Sequence, residues 1–193
     1  QLEPESPTAD IVYFHGNGGN LSMWLPVFAT LHGFGYRVLA IDYRGYGLSE
    51  GTPTESGLVL DAEAAARHAA SSRAAGRPLI YWGRSLGGPI AAAATDAAVP
   101  DALVLESTFP DKASVVRSMP LFLVLDLFSA YRFDTVSRLR GFTKPVLIVH
   151  GDSDTIIPYR LGQQLFERLG APKRFVTVPG GDHNDFFDAR HEA

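Results

Sequence analysis

The chain has 193 residues, of which 46% are hydrophobic and 20% charged, a formal net charge of −4 and no cysteine. This length and composition are typical of one globular domain, which we expect to span residues 1–193. The 17 basic and 21 acidic residues form no basic cluster, which argues against nucleic-acid binding, and the lack of cysteine excludes disulfides and thiolate chemistry. The most apolar stretch, Met119 to Phe133, is shorter than the roughly 20 residues of a membrane span.

Short apolar runs alternate along the chain with longer segments that favour helix. The runs are mostly continuous rather than alternating in polarity, as in strands that are covered on both faces. The predicted strands are 10–16, 36–43, 78–83, 102–108, 145–151 and 174–180, and the predicted helices are 22–31, 55–75, 86–98 and 159–169. This alternation predicts a three-layer α/β fold with a mostly parallel sheet. The connection 109–143 is predicted to form a small cap.

Residues with useful chemistry lie at or just past the ends of several predicted strands. In open parallel sheets, ligands bind outside the carboxyl ends of the strands, so we expect these residues to gather at one edge of the sheet. They are His15, Asn17, Asp42, Ser85, Glu106, Asp154 and His183.

The pentapeptide GRSLG, residues 83–87, lies between the third predicted strand and an alanine-rich helix. It fits the G-x-S-x-G turn that exposes a nucleophilic serine at the top of a sheet. Such a turn is so tight that both flanking positions require glycine. Ser85 is therefore the predicted nucleophile, at a helix N-terminus where the backbone favours negative charge, and a structural Gly-rich turn is the alternative.

A serine nucleophile needs a base to take its proton and an acid to orient that base. His183, in the loop after the last predicted strand, is the expected base, with a surface-loop histidine as the alternative. Asp154 in HGDSDTIIP is favoured as the acid. Asp152 is the first alternative, and we interpret it as a turn residue that bonds its own backbone. Glu106 is the second, and we interpret it as a buried carboxylate bonded to backbone N–H groups.

Backbone N–H groups are expected to stabilise the oxyanion that forms during the reaction. Leu86, directly after the serine, supplies one, and Asn17 or Gly18 in the loop HGNGGN supplies the other. This glycine-rich loop lacks the P-loop lysine and the full dinucleotide fingerprint, so neither phosphate nor nicotinamide binding is predicted. No cluster of metal ligands is visible in the sequence, and no cofactor is implied.

The segment YRGYGLS, residues 43–49, is expected to shape the floor of the site, and Gly18 in the loop HGNGGN is a candidate substrate contact. Arg44 and Tyr46 are its candidate substrate contacts, and a structural salt bridge is the alternative for Arg44. Four phenylalanines in or beside the cap are interpreted either as the lining of an acyl pocket or as helix packing on the sheet: Phe122, Phe128, Phe133 and Phe142.

Five motifs occur in an order that resembles the α/β-hydrolase superfamily: HGNGGN, DYRGYGLSEG, GRSLGG, HGDSDTIIP and GGDHND. More closely, the chain is similar to the small serine-aminopeptidase-like branch, which includes lipid thioesterases and carboxylesterases. The resemblance implies Ser85 as nucleophile, Asp154 as acid and His183 as base, with Asn17 and Leu86 at the oxyanion. Members usually have one or two antiparallel strands before the first motif, and the ten residues here lead us to expect a sheet without them.

The expected function is hydrolysis of small to medium carboxylic esters through an acyl-enzyme. A peptidase, amidase or thioesterase would use the same residues, whereas a haloalkane dehalogenase is disfavoured because that family has Asp where Ser85 stands. A non-catalytic ligand-binding protein is the rival from another class, although such proteins usually lack a triad member. We expect a monomer that acts on a small-molecule ester, and a cytoplasmic location is favoured.

Overall fold

The computed structural model describes residues 2–118 and 131–185, and a six-stranded sheet forms its centre. The strands are β1 Ala9–Phe14, β2 Tyr36–Ala40, β3 Leu79–Arg84, β4 Ala102–Glu106, β5 Val146–Gly151 and β6 Lys173–Val178. Their spatial order is β2-β1-β3-β4-β5-β6, and each pairing between neighbours is parallel. All the predicted strands are confirmed, with small differences at their ends.

Helices connect the strands and cover the sheet on both faces. They are α1 Leu21–Gly33, α2 Glu55–Ser72, α3 Gly87–Ala94, α4 Lys112–Ser118, α5 Thr135–Arg138 and α6 Tyr159–Arg168. The side chains of Asn20 and Thr54 accept backbone N–H groups at the starts of α1 and α2, as N-terminal caps do. The four predicted helices are present, whereas α4 and α5 lie in the connection that the sequence analysis treats only as a cap.

The side chains of β1 divide the interior into two cores. Ile11 and Tyr13 pack against α1 on one face of the sheet. Because side chains alternate along a strand, Val12 and Phe14 point to the other face, where they join a larger core with α2, α3 and α6. The sheet between these helices forms the middle of three layers, so the predicted α/β fold is confirmed.

The N-terminal segment runs along the outer edge of β2. Leu2 and Val38 form an antiparallel bridge through two backbone hydrogen bonds, of 2.9 and 2.8 Å. No strand precedes β1 within the described residues. None of the helices within residues 2–118 and 131–185 combines the length and apolarity that a membrane crossing requires.

The first turn of α3 lies directly against the backbone of β1 and β3. A Cβ atom at Gly87 would lie 1.8 Å from the carbonyl oxygen of Phe14. A Cβ atom at Gly83 would lie 2.4 Å from the carbonyl oxygen of Gly87. Since the obstructing atoms are backbone, a side chain cannot be accommodated by a rotamer change, and both positions require glycine, as the sequence predicts.

Replacing Gly87 with alanine is expected to lower the free energy of unfolding by about 3 kcal/mol, at the upper end of the range for overpacking. Urea denaturation measures this loss. Gly33→Ala is the matched control, because a Cβ atom there meets no atom within 4 Å and lies at the end of α1. We expect its stability to change by less than about 1 kcal/mol. Equal losses in the two variants would contradict the backbone contact as the cause.

Candidate active site

Ser85 occupies the turn between β3 and α3 in a left-handed conformation, with φ at 53°. This conformation is uncommon for a residue other than glycine, and strained residues of this kind cluster at functional sites. The Ser85 N–H donates to the carbonyl of Glu106 at 2.9 Å, and the Ser85 carbonyl accepts the Thr108 hydroxyl at 2.7 Å. The structure therefore contains the tight strand-to-helix turn that the motif predicts, held by hydrogen bonds to the end of β4.

The loop after β1 passes beside this turn. A Cβ atom at Gly16 would lie 3.4 Å from Cβ of Ser85. The next residue, Asn17, is exposed, and its side-chain oxygen accepts the hydroxyl of Tyr46 at 2.7 Å. Tyr46 thus ties this glycine-rich loop to the segment that follows β2. Gly18 is also exposed, and no atom lies within 4 Å of the position that its Cβ would take.

His15 anchors the start of this loop. Its Nδ1 lies 2.8 Å from the carbonyl oxygen of Gly16, and its ring packs on Tyr43 with centroids 4.3 Å apart. Burial lowers the pKa of His15, and the hydrogen bond to Gly16 and the charge of Asp42 only partly oppose this effect. His15 is therefore a neutral core histidine whose Nδ1–H fixes the loop.

His183 and Asp154 form a buried hydrogen-bonded pair. Nδ1 of His183 lies 2.8 Å from Oδ2 of Asp154, and the two residues are 6% and 8% exposed. Because an ionised carboxylate can only accept, Nδ1 carries the proton and Nε2 is left as the free acceptor of the ring. An imidazole in this tautomer is suited to act as a general base.

Asp154 is held as an anion by several donors. Its Oδ1 accepts the N–H groups of Ile156 and Ile157 at 2.9 and 2.7 Å. Nε2 of His150 lies 2.8 Å from the carbonyl oxygen of Ile157 and 3.3 Å from Oδ2 of Asp154, a proximity that the sequence does not predict. Burial by itself raises the pKa of Asp154, but the neighbouring imidazoles of His150 and His183 and the backbone N–H of Ile157 hold this pKa well below its usual value.

The two alternative acids have other partners, and both sequence interpretations of those partners are wrong. Asp152 accepts the backbone N–H of Gly180 at 2.7 Å, so it joins the loops after β5 and β6 instead of bonding its own backbone. Glu106 accepts Arg84 at 2.8 Å and Trp82 Nε1 at 2.6 Å, which are side-chain donors and not backbone N–H groups. Of the three candidates, Asp154 is the one that the structure brings to the imidazole.

Arg44 forms the structural ion pair that was the alternative to substrate binding. Its Nη2 lies 2.7 Å from Oδ1 of Asp61, and Nε lies 3.0 Å from Oδ2. Both residues line a cleft of about 690 Å³ beside β2 and α2. Ser85, Asp154 and His183 are not among the residues that line it, so this cleft is separate from the candidate site.

The phenylalanines of the cap are described only in part. Phe133 is buried in the main core and Phe142 packs against it, which fits the helix-packing alternative for these two. Phe122 and Phe128 lie outside the described residues.

Ser85 and the histidine loop are connected through Arg84. Its Nη2 donates to the carbonyl of His183 and, at 3.2 Å, to Oδ1 of Asn184. Within the described residues, the Ser85 hydroxyl makes no hydrogen bond with His183. Such a bond is often long in an enzyme without substrate. The contacts of Arg84 were not predicted: Arg84 follows the predicted strand 78–83, Glu106 lies inside the predicted strand 102–108, and the two meet only through the pairing of β3 with β4.

Among known proteins, a family model described as serine aminopeptidase, S33, matches residues 5–130. An uncharacterized protein of Mycobacterium tuberculosis is 37% identical over 176 residues, which cover 91% of this chain. This chain spans 63% of that protein's length. YfhR of Salmonella typhi is 35% identical over 207 aligned positions, covering 97% of this chain and 68% of YfhR. Lysophosphatidylserine lipase ABHD12 of Danio rerio is 34% identical, covering 84% of this chain and 48% of the lipase.

Solved structures share the fold at low sequence identity. Est1E from Butyrivibrio proteoclasticus, with ferulic acid bound, has a TM-score of 0.74 and 22% identity, covering 96% of this chain and 86% of Est1E. The Pyrococcus furiosus esterase PF2001 has a TM-score of 0.77 and 20% identity, covering 96% of this chain and 77% of the esterase.

The ionised state of Asp154 predicts how stability depends on pH. Its pKa is lower in the folded protein than the value of about 3.9 in an unfolded chain, so folding favours the anion. The resulting stability is present above about pH 4 and is lost as pH falls further. Asp154→Asn is expected to lower the free energy of unfolding at pH 7 by about 2 kcal/mol and to flatten its decline below about pH 4.

Urea denaturation from pH 3 to pH 7 tests this expectation. Asp152→Asn, at the start of the same loop, is the matched control, because it leaves the buried carboxylate of Asp154 in place. A pH profile of Asp154→Asn as steep as that of the parent would show that another group causes the acid sensitivity.

Proposed function

Because this chain belongs to the serine aminopeptidase S33 family of the α/β-hydrolase superfamily, we propose that it is a serine hydrolase that cleaves carboxylic esters through an acyl-enzyme. The observation that carries the proposal is the 2.8 Å hydrogen bond between buried His183 and Asp154. It orients an imidazole in a loop whose backbone contacts Arg84, the residue before Ser85. Ser85 is the nucleophile, His183 the base and Asp154 the acid.

In the first half of the reaction, Oγ of Ser85 attacks the ester carbonyl carbon and its proton passes to Nε2 of His183. The ionised Asp154 stabilises the imidazolium that forms. The carbonyl electron pair moves to oxygen, and the backbone N–H groups of Asn17 and Leu86 donate to this oxyanion. Collapse of the intermediate breaks the bond to the alkoxy oxygen, which leaves as an alcohol with the proton from His183.

In the second half, water attacks the acyl-enzyme. His183 takes a proton from the water as the new C–O bond forms, and it returns this proton to Oγ of Ser85 as the acid is released. Neither half of the reaction changes an oxidation state, and each proton transfer in it is assigned to a side chain of this chain.

The Tyr46 hydroxyl supports the oxyanion role of the loop after β1, because it holds the side chain of Asn17 at 2.7 Å. A loop fixed in this way presents its N–H groups without a reorganisation cost at the moment of reaction. Tyr46 and Gly18 are the neighbouring positions that we propose for substrate contact. We do not extend this role to Arg44, because its guanidinium is engaged by Asp61.

Short and medium acyl groups are the proposed substrates. Phe109 and Val115 from the start of the connection after β4, and Phe133 and Leu139 from its second half, are buried in the main core. The described parts of this connection pack closely on the sheet, which favours an open site over a long acyl tunnel. We expect p-nitrophenyl butyrate to have a higher kcat/KM than p-nitrophenyl palmitate, and a strong preference for palmitate would contradict this.

Amide cleavage is the second candidate, and the name of the family, serine aminopeptidase, favours it. Esters rank first because matching proteins are named as a lysophosphatidylserine lipase and as esterases. Hydrolysis of a p-nitroanilide and a p-nitrophenyl ester with the same acyl group distinguishes the two. A faster rate on the anilide would reverse the order of the candidates.

Replacement of Ser85 with alanine is expected to remove nearly all ester hydrolysis, by about 10⁶-fold as in a triad protease. A fluorophosphonate probe is expected to label the parent at Ser85 and to leave the variant unlabelled, which also separates an enzyme from a binding protein. Ser107→Ala is the matched control. Ser107 also has a left-handed φ, of 45°, at the end of a neighbouring strand, but it is fully buried. Activity of Ser85→Ala at a hundredth of the parent rate would refute the assignment.

A further inference from the structure

The loop that carries His183 is fixed to the loop after β5 through two carboxylates. Asp154 binds the imidazole, and Asp182 accepts the N–H groups of Thr155 and His183 at 2.8 and 2.7 Å. Ser85 follows β3, however, and β4 lies between β3 and β5 in the sheet. The bonds to the loop after β5 therefore orient the imidazole but do not set its distance from the serine.

Arg84 connects β3, which precedes Ser85, with the loop that carries His183. It is the last residue of β3 and lies directly before Ser85. One nitrogen of its guanidinium, Nη2, donates to the His183 carbonyl and to Asn184 Oδ1. The other, Nη1, donates to Oε1 of Glu106 at 2.8 Å, and both side chains of this ion pair are at most 3% exposed. The cation thus connects the nucleophile's strand with the histidine loop inside the protein.

Glu106 fixes the guanidinium from the strand in between. Its Oε2 accepts Trp82 Nε1 at 2.6 Å, so both carboxylate oxygens are engaged. Its backbone carbonyl also accepts the N–H of Ser85 at 2.9 Å. The guanidinium carbon of Arg84 lies 5.0 Å from the ring centroid of Trp24, which adds a cation–π contact. One residue of β4 therefore holds the serine turn through its backbone and Arg84 through its side chain.

We propose that Arg84 and Glu106 are positioning residues that set the distance between the imidazole of His183 and the hydroxyl of Ser85. This inference rests on the proposed function, because it assigns the pair a role in that reaction. Neither residue touches the substrate. Arginine is required for this role because its planar fork donates to two elements at once, whereas the single ammonium of lysine can neutralise Glu106 but cannot reproduce both directions.

A merely structural ion pair is the competing explanation, and the chain contains a matched example. Arg37 donates to both oxygens of Asp10 at 3.0 and 2.7 Å in a buried pair on the same sheet. Arg37 and Asp10 lie near the starts of β2 and β1, at the edge of the sheet opposite to Ser85. Loss of this pair affects folding stability without a path to the candidate site.

The test compares Arg84→Lys with Arg37→Lys in the full chain. We expect both variants to lose thermal stability. Only Arg84→Lys is expected to lose kcat for p-nitrophenyl butyrate, by about 10- to 100-fold, with KM nearly unchanged. The rate at which a fluorophosphonate probe labels Ser85 is expected to fall in parallel, because that reaction also needs the base in place.

Glu106→Gln is the second variant and guards against a failure of Arg84→Lys to fold. It keeps the shape of the side chain and removes the charge that orients Arg84, so the same selective loss of kcat is expected. Parental kcat in these folded variants, or an equal loss of kcat in Arg37→Lys, overturns the inference. A parent protein that neither hydrolyses the ester nor reacts with the probe refutes the proposed function itself, before any variant is compared.

Discussion

The direct contact between the first turn of α3 and the ends of β1 and β3 is the constraint on which the site depends. Gly83 and Gly87 allow backbone to approach backbone at distances that no Cβ atom tolerates. The chain must therefore reverse from strand to helix within a few residues, and Ser85 takes the left-handed conformation at this reversal. The same approach brings the loop after β1 beside the serine. Packing of the backbone, more than any side-chain contact, defines this corner of the molecule.

Buried charge provides the second level of organisation. Asp154 and Glu106 follow or end neighbouring strands, and each anion is matched by donors from another element. Removal of one partner from such a pair leaves an uncompensated buried charge, which is strongly destabilising. Each pair therefore requires that its two elements stay in contact. The edge of the sheet therefore carries two linked arrangements. One orients the imidazole of His183, and the other joins its loop to β3.

The sequence predicts the strands because their apolar runs are continuous, and it predicts the serine turn because glycine is needed at two fixed offsets. It also ranks Asp154 above Asp152 because Asp154 lies deeper in the loop, and in the structure Asp154 is the residue that contacts His183. The partners of Glu106 and Asp152 could not be predicted from the sequence, for a physical reason. Arg84 meets Glu106 only through the pairing of β3 with β4, and Gly180 meets Asp152 across 28 residues of chain. Such contacts depend on strand register and loop closure, which local pattern does not encode.

The left-handed backbone at Ser85 also limits which residues evolution can place there. A threonine hydroxyl has the same intrinsic chemistry as a serine hydroxyl, but a branched Cβ is strongly disfavoured at a positive φ. A change from serine to threonine at this position is therefore disfavoured by the backbone conformation, whatever the reactivity of the new hydroxyl. The shape of the main chain thus restricts the residue at position 85 independently of any chemistry that its side chain performs.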